Sequence, residues 1–436
     1  MRRTIVSLIL TALCSSAQEF GPRFEELKRT LSPAQLYALL YAMPKGADLH
    51  VHYSLSFWAS DWYDSAKDRF YTRVRIANCG PEAAPLLWRN IPRARYQALS
   101  DCEKGEYIPL RDAPRDEWIS AHILDRPGEG RDEFFERIVT RITDLGRDHE
   151  VAAEVFAKTL KRWAAEGVRY TEVMASPLAA ADPDAATAAL KKVAAESPIP
   201  VRYQGIFIRF IPTAEQRLTD TFAFVDRNRD YWVGVNMAGR EDNDKGHPLR
   251  FFEAFRAQRR KYSGIHLSLH GGEVDSPGRD VRNTLVLGAE RIGHGLNLIT
   301  DPDTMLLLRH GRTLIESNLV SNKLLEYTPD LAVHPFIEYL RFGIPVCLNT
   351  DDQGSWDSNL TDEYFTAIRT FSLTWDEVVQ LGRNSLQHSF APDALKRQLL
   401  NDFDIAIKRF EQQARNPKWV PPSPTVSGYA RRNLLN

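Results

Sequence analysis

His50 and His52 stand one residue apart in the run Gly46-Ala47-Asp48-Leu49-His50-Val51-His52. In extended backbone alternate side chains share a face, so both rings would point the same way and could share a metal ion. His270 ends the apolar run Leu267-Ser268-Leu269 and is followed by Gly271, Gly272 and Glu273. His294 lies between two glycines in Arg291-Ile292-Gly293-His294-Gly295, and Asp351-Asp352 follows Ile344 to Asn349. A lone His-x-His is weak evidence. It gains weight because His270 and Asp351 also end apolar runs. Together with His50 and His52 they make a set of three imidazoles and one carboxylate, which suits one zinc ion with a position left for water. Such an ion lowers the pKa of its water towards ~7. Glu273 and His294 are then free for proton transfer, although an N-cap carboxylate and a packed loop histidine are their plainer readings. Asp352 could equally be a turn residue. Asp48 reads as a structural group deeper along the same face, and His149, His247 and His266 as ordinary histidines.

The elements that must position these residues follow a rhythm. Apolar strands are expected at 46–52, 168–175, 201–210, 231–238, 265–270, 291–292, 313–317 and 344–349. Helices separate most of them, among them Val151–Ala165, Pro183–Glu196, Ala214–Arg227, Pro248–Arg260, Asp280–Leu287, Pro302–His310 and Asp330–Phe342. Helical spacing also links Phe134, Phe135, Ile138, Val139, Ile142 and Leu145. Eight strands alternating with helices predict an α/β fold, a (β/α)₈ TIM barrel, which builds its site where the strands end. An open doubly wound sheet would advertise a glycine-rich loop after its first strand, and here that strand ends in His-Val-His.

The barrel is expected over residues 44–415, behind an N-terminal helical extension at 18–43 and ahead of a poorly structured tail at 416–436. After the first strand, an aromatic-rich insertion spans 54–130. Residues 1–17 read as a signal peptide: Arg2 and Arg3, the short apolar stretch Ile5–Leu13, then the small residues Ser15-Ser16-Ala17. Export to the periplasm or outside the cell follows, with no stable membrane association after cleavage. An oxidising compartment would permit Cys79 and Cys102 to pair, whereas Cys347 lies in an apolar run and reads as a buried thiol. At 436 residues, 43% hydrophobic and 26% charged, the chain can bury a large core, and a net charge of −1 gives no reason to expect nucleic acid as partner. The sequence leaves the oligomeric state open, a homodimer included.

Met43-Pro44-Lys45-Gly46-Ala47-Asp48-Leu49-His50-Val51-His52, His270-Gly271-Gly272-Glu273, Arg291-Ile292-Gly293-His294-Gly295 and Asn349-Thr350-Asp351-Asp352 closely resemble the adenosine deaminase family in order and spacing. The resemblance runs from Pro44 to about Leu399, interrupted by the insertion. Insertion and signal look more like the secreted, growth-factor-related branch than the compact intracellular enzymes. The resemblance implies one zinc per chain on His50, His52, His270 and Asp351. It implies that Glu273 protonates purine N1 as hydroxide attacks C6, and that His294 orients and helps deprotonate the attacking water. Asp352 would bond the N7 edge and Gly239 the N3 atom, giving ammonia and an inosine-type product from adenosine or a related 6-aminopurine nucleoside. In two places the chain departs from the family. Tyr53-Ser54-Leu55-Ser56 replaces an aspartate and glycine near the ribose, and His-Gly-Gly-Glu replaces His-Ala-Gly-Glu. The insertion starts beside the first departure and is expected to act as a lid. Two other readings remain: a mononuclear amidohydrolase acting on a different heterocycle or amide, and an extracellular binding protein without turnover.

Overall fold

The computed structural model describes residues 20–435 apart from 81, 83 and 244; the expected signal peptide lies outside them. Eight strands, β1 (Gly46–His52), β2 (Val168–Met174), β3 (Val201–Ile208), β4 (Trp232–Ala238), β5 (His266–Gly271), β6 (Arg291–His294), β7 (Leu314–Ser317) and β8 (Val346–Leu348), lie side by side in chain order. Each neighbouring pair is parallel. The ring closes between β8 and β1 through a parallel bridge between Val51 and Asp351, where the Asp351 amide donates to the His50 carbonyl (2.9 Å). Side chains reinforce this seam: Asn349 accepts from the Leu49 amide at 3.0 Å, and Thr350 Oγ1 donates to Asp48 at 2.6 Å. Asp48 therefore has the structural role expected of it. The fold is the expected TIM barrel.

The helices form where apolar spacing and caps predict them. Ser32 with Gln35, and Thr374 with Glu377, close reciprocal capping boxes at the starts of Pro33–Ala42 and Trp375–Gln387. Three expectations need correction. The helix expected over 330–342 is broken into a 3₁₀ turn, Leu331–Val333, and a helix, Phe336–Phe342. Pro335 forces the break, because the residue before a proline is driven out of the α region; His334 is extended at φ −66°, ψ 128°. The run through Phe134 is interrupted by a π turn, Phe134–Ile138, between helices Gly130–Glu133 and Val139–Gly146.

The third correction is the C-terminal tail, which is docked rather than loose. Helix Gly428–Asn433 buries Tyr429, Ser427 Oγ donates to Asp362 at 2.6 Å, and the Tyr429 amide donates to the Asp357 carbonyl at 2.8 Å. Before the tail runs a long amphipathic helix, Asp393–Arg415, which buries Leu399, Phe403, Ile407, Phe410 and Ala414.

The insertion has a fold of its own. A three-stranded antiparallel sheet places Phe70–Arg73 between Asn90–Pro92 and Tyr107–Pro109, with buried Trp118 donating its indole N–H to Asn90 at 3.1 Å. Cys79 and Cys102 are disulfide-bonded with Cα atoms 5.6 Å apart. Cys347 is buried and free. Among the described residues no helix is long and apolar enough to cross a membrane.

Candidate metal and active site

The strand ends bring the expected residues together at one rim. His52 Nε2 lies 3.3 Å from His270 Nε2 and 3.2 Å from Asp351 Oδ1, and His50 Nε2 lies 3.5 Å from that oxygen. The His50 and His270 rings are 4.4 Å apart between centroids. This approach requires glycine at 293, since a Cβ there would stand 2.5 Å from His50 Cε1.

The back of each inner ring is held. His50 Nδ1 meets Glu316 at 2.8 Å, and His270 Nδ1 meets Asn236 Oδ1 at 2.9 Å. The two holders belong to one buried circuit. Glu316 pairs with Arg291 (2.6 Å), Arg291 with Glu172 (2.6 Å), Glu172 accepts from Gln204 (3.2 Å), and Gln204 Oε1 accepts from Asn236 (3.2 Å). Each imidazole is thereby turned so that Nε2 faces the centre.

The donor set fits a divalent ion. His50 Nε2 is buried without a hydrogen-bond partner. Burial opposes charge on His50, but the neighbouring Asp351 and Glu316 carboxylates raise its pKa to about 10, so the position attracts positive charge, proton or metal alike. Burial likewise opposes ionisation of Asp351; the neighbouring His50 and His52 rings outweigh it and hold this carboxylate well below the usual range. Burial, helped by His50, His294 and His52, keeps His270 neutral, as a ligand must be. Ser321 Oγ donates to the second Asp351 oxygen at 2.7 Å.

Glu316→Gln is expected to weaken the affinity for a divalent ion by about 10- to 100-fold, the usual effect of losing the group behind a ligating histidine. Competition with a chromogenic chelator measures it, and an unchanged dissociation constant would rule out that role for Glu316.

Around the ligands stand the groups expected to handle protons. Glu273 is buried, and its Oε2 lies 3.7 Å from His294 Nε2. Burial, then the charges of Asp351 and Glu241, push the Glu273 carboxyl well above its ordinary pKa, which favours its protonated form. Asp352 is raised in the same way by burial and by Asp351, and its Oδ1 is buried without a partner. His294 sits within the cluster: its nitrogen and ligand-type atoms of His50, His270 and Asp351 all lie within 4.8 Å of one another. Burial, opposed by Asp351 and reinforced by His50 and His52, pulls His294 down to about 3. Its Nδ1 lies 3.1 Å from Asn322 Nδ2 and 3.2 Å from Asn318 Nδ2. Gly239 follows β4 at φ +106°, where a Cβ would stand 2.9 Å from the Phe210 ring.

The sequence reading missed the supporting residues. Glu316 and Asn236 are polar positions inside apolar strands, and that mismatch was the available signal. Arg209 and Glu241 gave none. Buried Arg209 donates to the His270 carbonyl (2.6 Å) and pairs with Glu241 (3.0 Å), which accepts from the amides of Gly272 (3.0 Å) and Glu273 (3.3 Å). That clamp fixes the turn carrying Glu273.

At the mouth, the segment just after the insertion is tied to the loops that follow the strands. Arg131 pairs with Asp275 at 2.7 Å and Asp242 at 3.5 Å, and lies over the Tyr327 ring. Arg240 pairs with Asp132 at 2.7 Å, and the Phe134 ring lies 4.8 Å from Trp356. Ser54 packs beside Gly146 and brings no carboxylate to this rim.

Comparison with known proteins agrees with the geometry. Residues 131–406 match the family profile described as adenosine deaminase. The chain is 29% identical over 317 residues to an adenosine deaminase of Enterococcus faecalis, covering 70% of this chain and 91% of that one. In fold it is similar to an Arabidopsis N6-mAMP deaminase (TM-score 0.64, 23% identity, 84% of this chain and 99% of that one). It is similarly close to an amidohydrolase from Burkhoderia ambifaria solved with bound Zn (TM-score 0.65, 19% identity, 87% and 95%). With imidazoles and carboxylate converging at the strand ends of an eight-stranded barrel, and the profile matched over more than half its length, this chain belongs to the adenosine deaminase family.

Proposed function

We propose that this protein catalyses the hydrolytic deamination of adenosine or a closely related 6-aminopurine nucleoside, releasing ammonia, with a single zinc ion held by His50, His52, His270 and Asp351. The observation that carries the reading is a pair of buried carboxyl groups, Glu273 and Asp352, at the rim of this cluster, each pushed by burial and by neighbouring carboxylates towards its protonated form. Purine N1 and N7 are hydrogen-bond acceptors only. Protonated carboxyls match them as donors, where ionised ones would repel them. Glu273 donates to N1 and transfers its proton as water adds at C6, which makes the ring the better electrophile. Asp352 donates to N7, and the Gly239 amide donates to N3. The proton given up by the attacking water passes to the C6 amino group, which leaves as ammonia when the C6–nitrogen bond breaks, and the Glu273 carboxylate takes up the proton lost as the C6 hydroxyl becomes a carbonyl. A zinc ion in the cluster supplies a Lewis acid and ionises water at neutral pH. The test is a panel of adenosine, deoxyadenosine, adenine, AMP and N6-methyl-AMP followed by absorbance and ammonia release, with zinc measured alongside. No turnover of any member would reject the reading.

The insertion at 54–130 is the expected lid; in this proposal the segment that follows it, Gly130–Ile138, joins it in closing the mouth, pinned by Arg131 and Arg240. Partly exposed ion pairs of this kind contribute up to about 1 kcal/mol, a factor of about five. Arg131→Ala is expected to raise KM by about fivefold, and a KM equal to the wild type would leave the lid without support. Export is also part of the proposal, supported by the Cys79–Cys102 disulfide, which suits an oxidising compartment. N-terminal sequencing of protein recovered from outside the cytoplasm tests it: a chain still starting at Met1 would reject cleavage.

A further inference from the structure

We propose that His334, which reaches the site through Asn322, fixes the ring proton of His294 on Nε2 and so makes His294 a hydrogen-bond donor to the oxygen that adds at C6, not the base that deprotonates water. The inference rests on the deaminase reading for the identity of that oxygen and on geometry for the rest.

The chain of bonds begins at a donor that cannot reverse. The break at Pro335 leaves the Phe336 amide at the start of its helix, one of the N–H groups that a helix cannot pair internally. It donates to His334 Nδ1 at 3.1 Å, so Nδ1 carries no hydrogen. Burial keeps His334 neutral down to about 3. The one ring proton of a neutral imidazole must then sit on Nε2. Nε2 lies 3.1 Å from Asn322 Oδ1 and donates to it, which fixes which end of the Asn322 amide is oxygen. The other end, Nδ2, lies 3.1 Å from His294 Nδ1 and donates there. His294 Nδ1 is therefore an acceptor, and the neutral ring bears its hydrogen on Nε2, the atom 3.7 Å from Glu273 Oε2.

Asn318 does not decide the matter. Its Nδ2 also faces His294 Nδ1 at 3.2 Å, but its Oδ1 is buried without a partner, so this amide could present either end. Asn322 has no such freedom. Its carbonyl accepts from the Tyr327 and Thr328 amides at 3.1 and 2.9 Å, and its side chain is committed at both ends. His294 cannot gain a proton on Nδ1 without opposing the Asn322 amino group, and Nε2 is already protonated. A base is excluded at both nitrogens, while a donor is delivered to the reacting oxygen. The expectation that His294 helps deprotonate the water is replaced by this role.

The test uses the zinc-loaded full chain labelled with ¹⁵N-histidine, the His294 resonances being those lost in His294→Gln. The wild type is expected to show a protonated Nε2 and a bare Nδ1. His334→Leu releases the Asn322 amide, mixes the two tautomers and lowers kcat by about 10²-fold at nearly constant KM, less than the ~10⁴-fold penalty a wrong tautomer imposes on a triad histidine. His334→Gln keeps a donor aimed at Asn322 and retains both the tautomer and kcat within a few-fold. Asn322→Asp offers His294 an acceptor and moves the proton to Nδ1. The proposal is overturned if the wild-type proton resides on Nδ1, if His334→Leu leaves tautomer and kcat unchanged, or if His334→Gln loses as much as His334→Leu. The resonances need no substrate. A wild type that turns over no purine would sink the deaminase reading and leave the tautomer measurement to stand or fall alone.

Discussion

Glu273→Gln is expected to lower kcat by about 10³-fold, within the 10²–10⁴ range of a lost general acid, while KM changes by no more than a few-fold. The amide keeps the shape of the side chain and can still donate to N1, so binding survives. What it cannot do is surrender a proton to N1 and take one back when ammonia leaves. The clamp of Arg209 and Glu241 on the backbone of Gly272 and Glu273 holds either side chain in the same place. The pH dependence carries the same signature. Burial and the neighbouring carboxylates raise the Glu273 pKa, so wild-type kcat falls as pH rises through that raised value, and this limb vanishes from the residual activity of the variant. Stability separates chemistry from damage. A carboxyl whose folded pKa lies above its unfolded value of about 4.3 costs stability progressively as pH rises past that value. The neutral amide escapes this cost, so Tm of the variant at pH 8 is expected to match or exceed the wild type. Retained turnover would reject Glu273 as the proton donor.

The second large effect is expected at Asp351. This residue would supply the negative charge of the proposed ligand set, and it sits at φ +55°, a conformation that asparagine tolerates better than most residues. Asp351→Asn therefore keeps the backbone and the shape while removing the charge. Activity is expected to fall by at least about 10³-fold, and the variant is expected to purify with well under one zinc per chain. The thermal readout is separate from activity. An ion bound only by the folded state stabilises it by RT ln(1 + [L]/Kd), about 4 kcal/mol at 1,000-fold excess over Kd. Chelation should thus lower Tm of the wild type and leave Asp351→Asn almost unmoved. Equal chelator sensitivity in both would mean that Asp351 is not a ligand.

The comparison of sequence with structure turns on how local each signal was. His50 and His52 were legible because alternation along a strand is a rule within one element. The repeated apolar runs ending in His270, His294 and Asp351 revealed the barrel and its rim for the same reason. Partners across the barrel were not legible. Nothing near Glu316 in the chain names His50, 266 positions away, as its partner, and only closure of the ring brings them together. The Asp393–Arg415 helix has a regular apolar stripe and was readable, but went unread. The docked tail was hidden differently: Pro421, Pro422 and Pro424 suggested disorder, and its anchors are a serine and a tyrosine whose burial depends on Asp357 and Asp362 far upstream. At 330–342 the apolar spacing suggested one helix and Pro335 broke it, and His334 owes its position to that break.

The join between β8 and β1 gives the architecture a further meaning. A cylinder made from one chain must fasten its first stave to its last, and here the hoop is completed by few backbone bonds. His50 and His52 come from one side of that join and Asp351 from the other. Whatever cation they grip is also a rivet across the barrel's own opening, so loss of the catalytic ion and loosening of the container would be a single event.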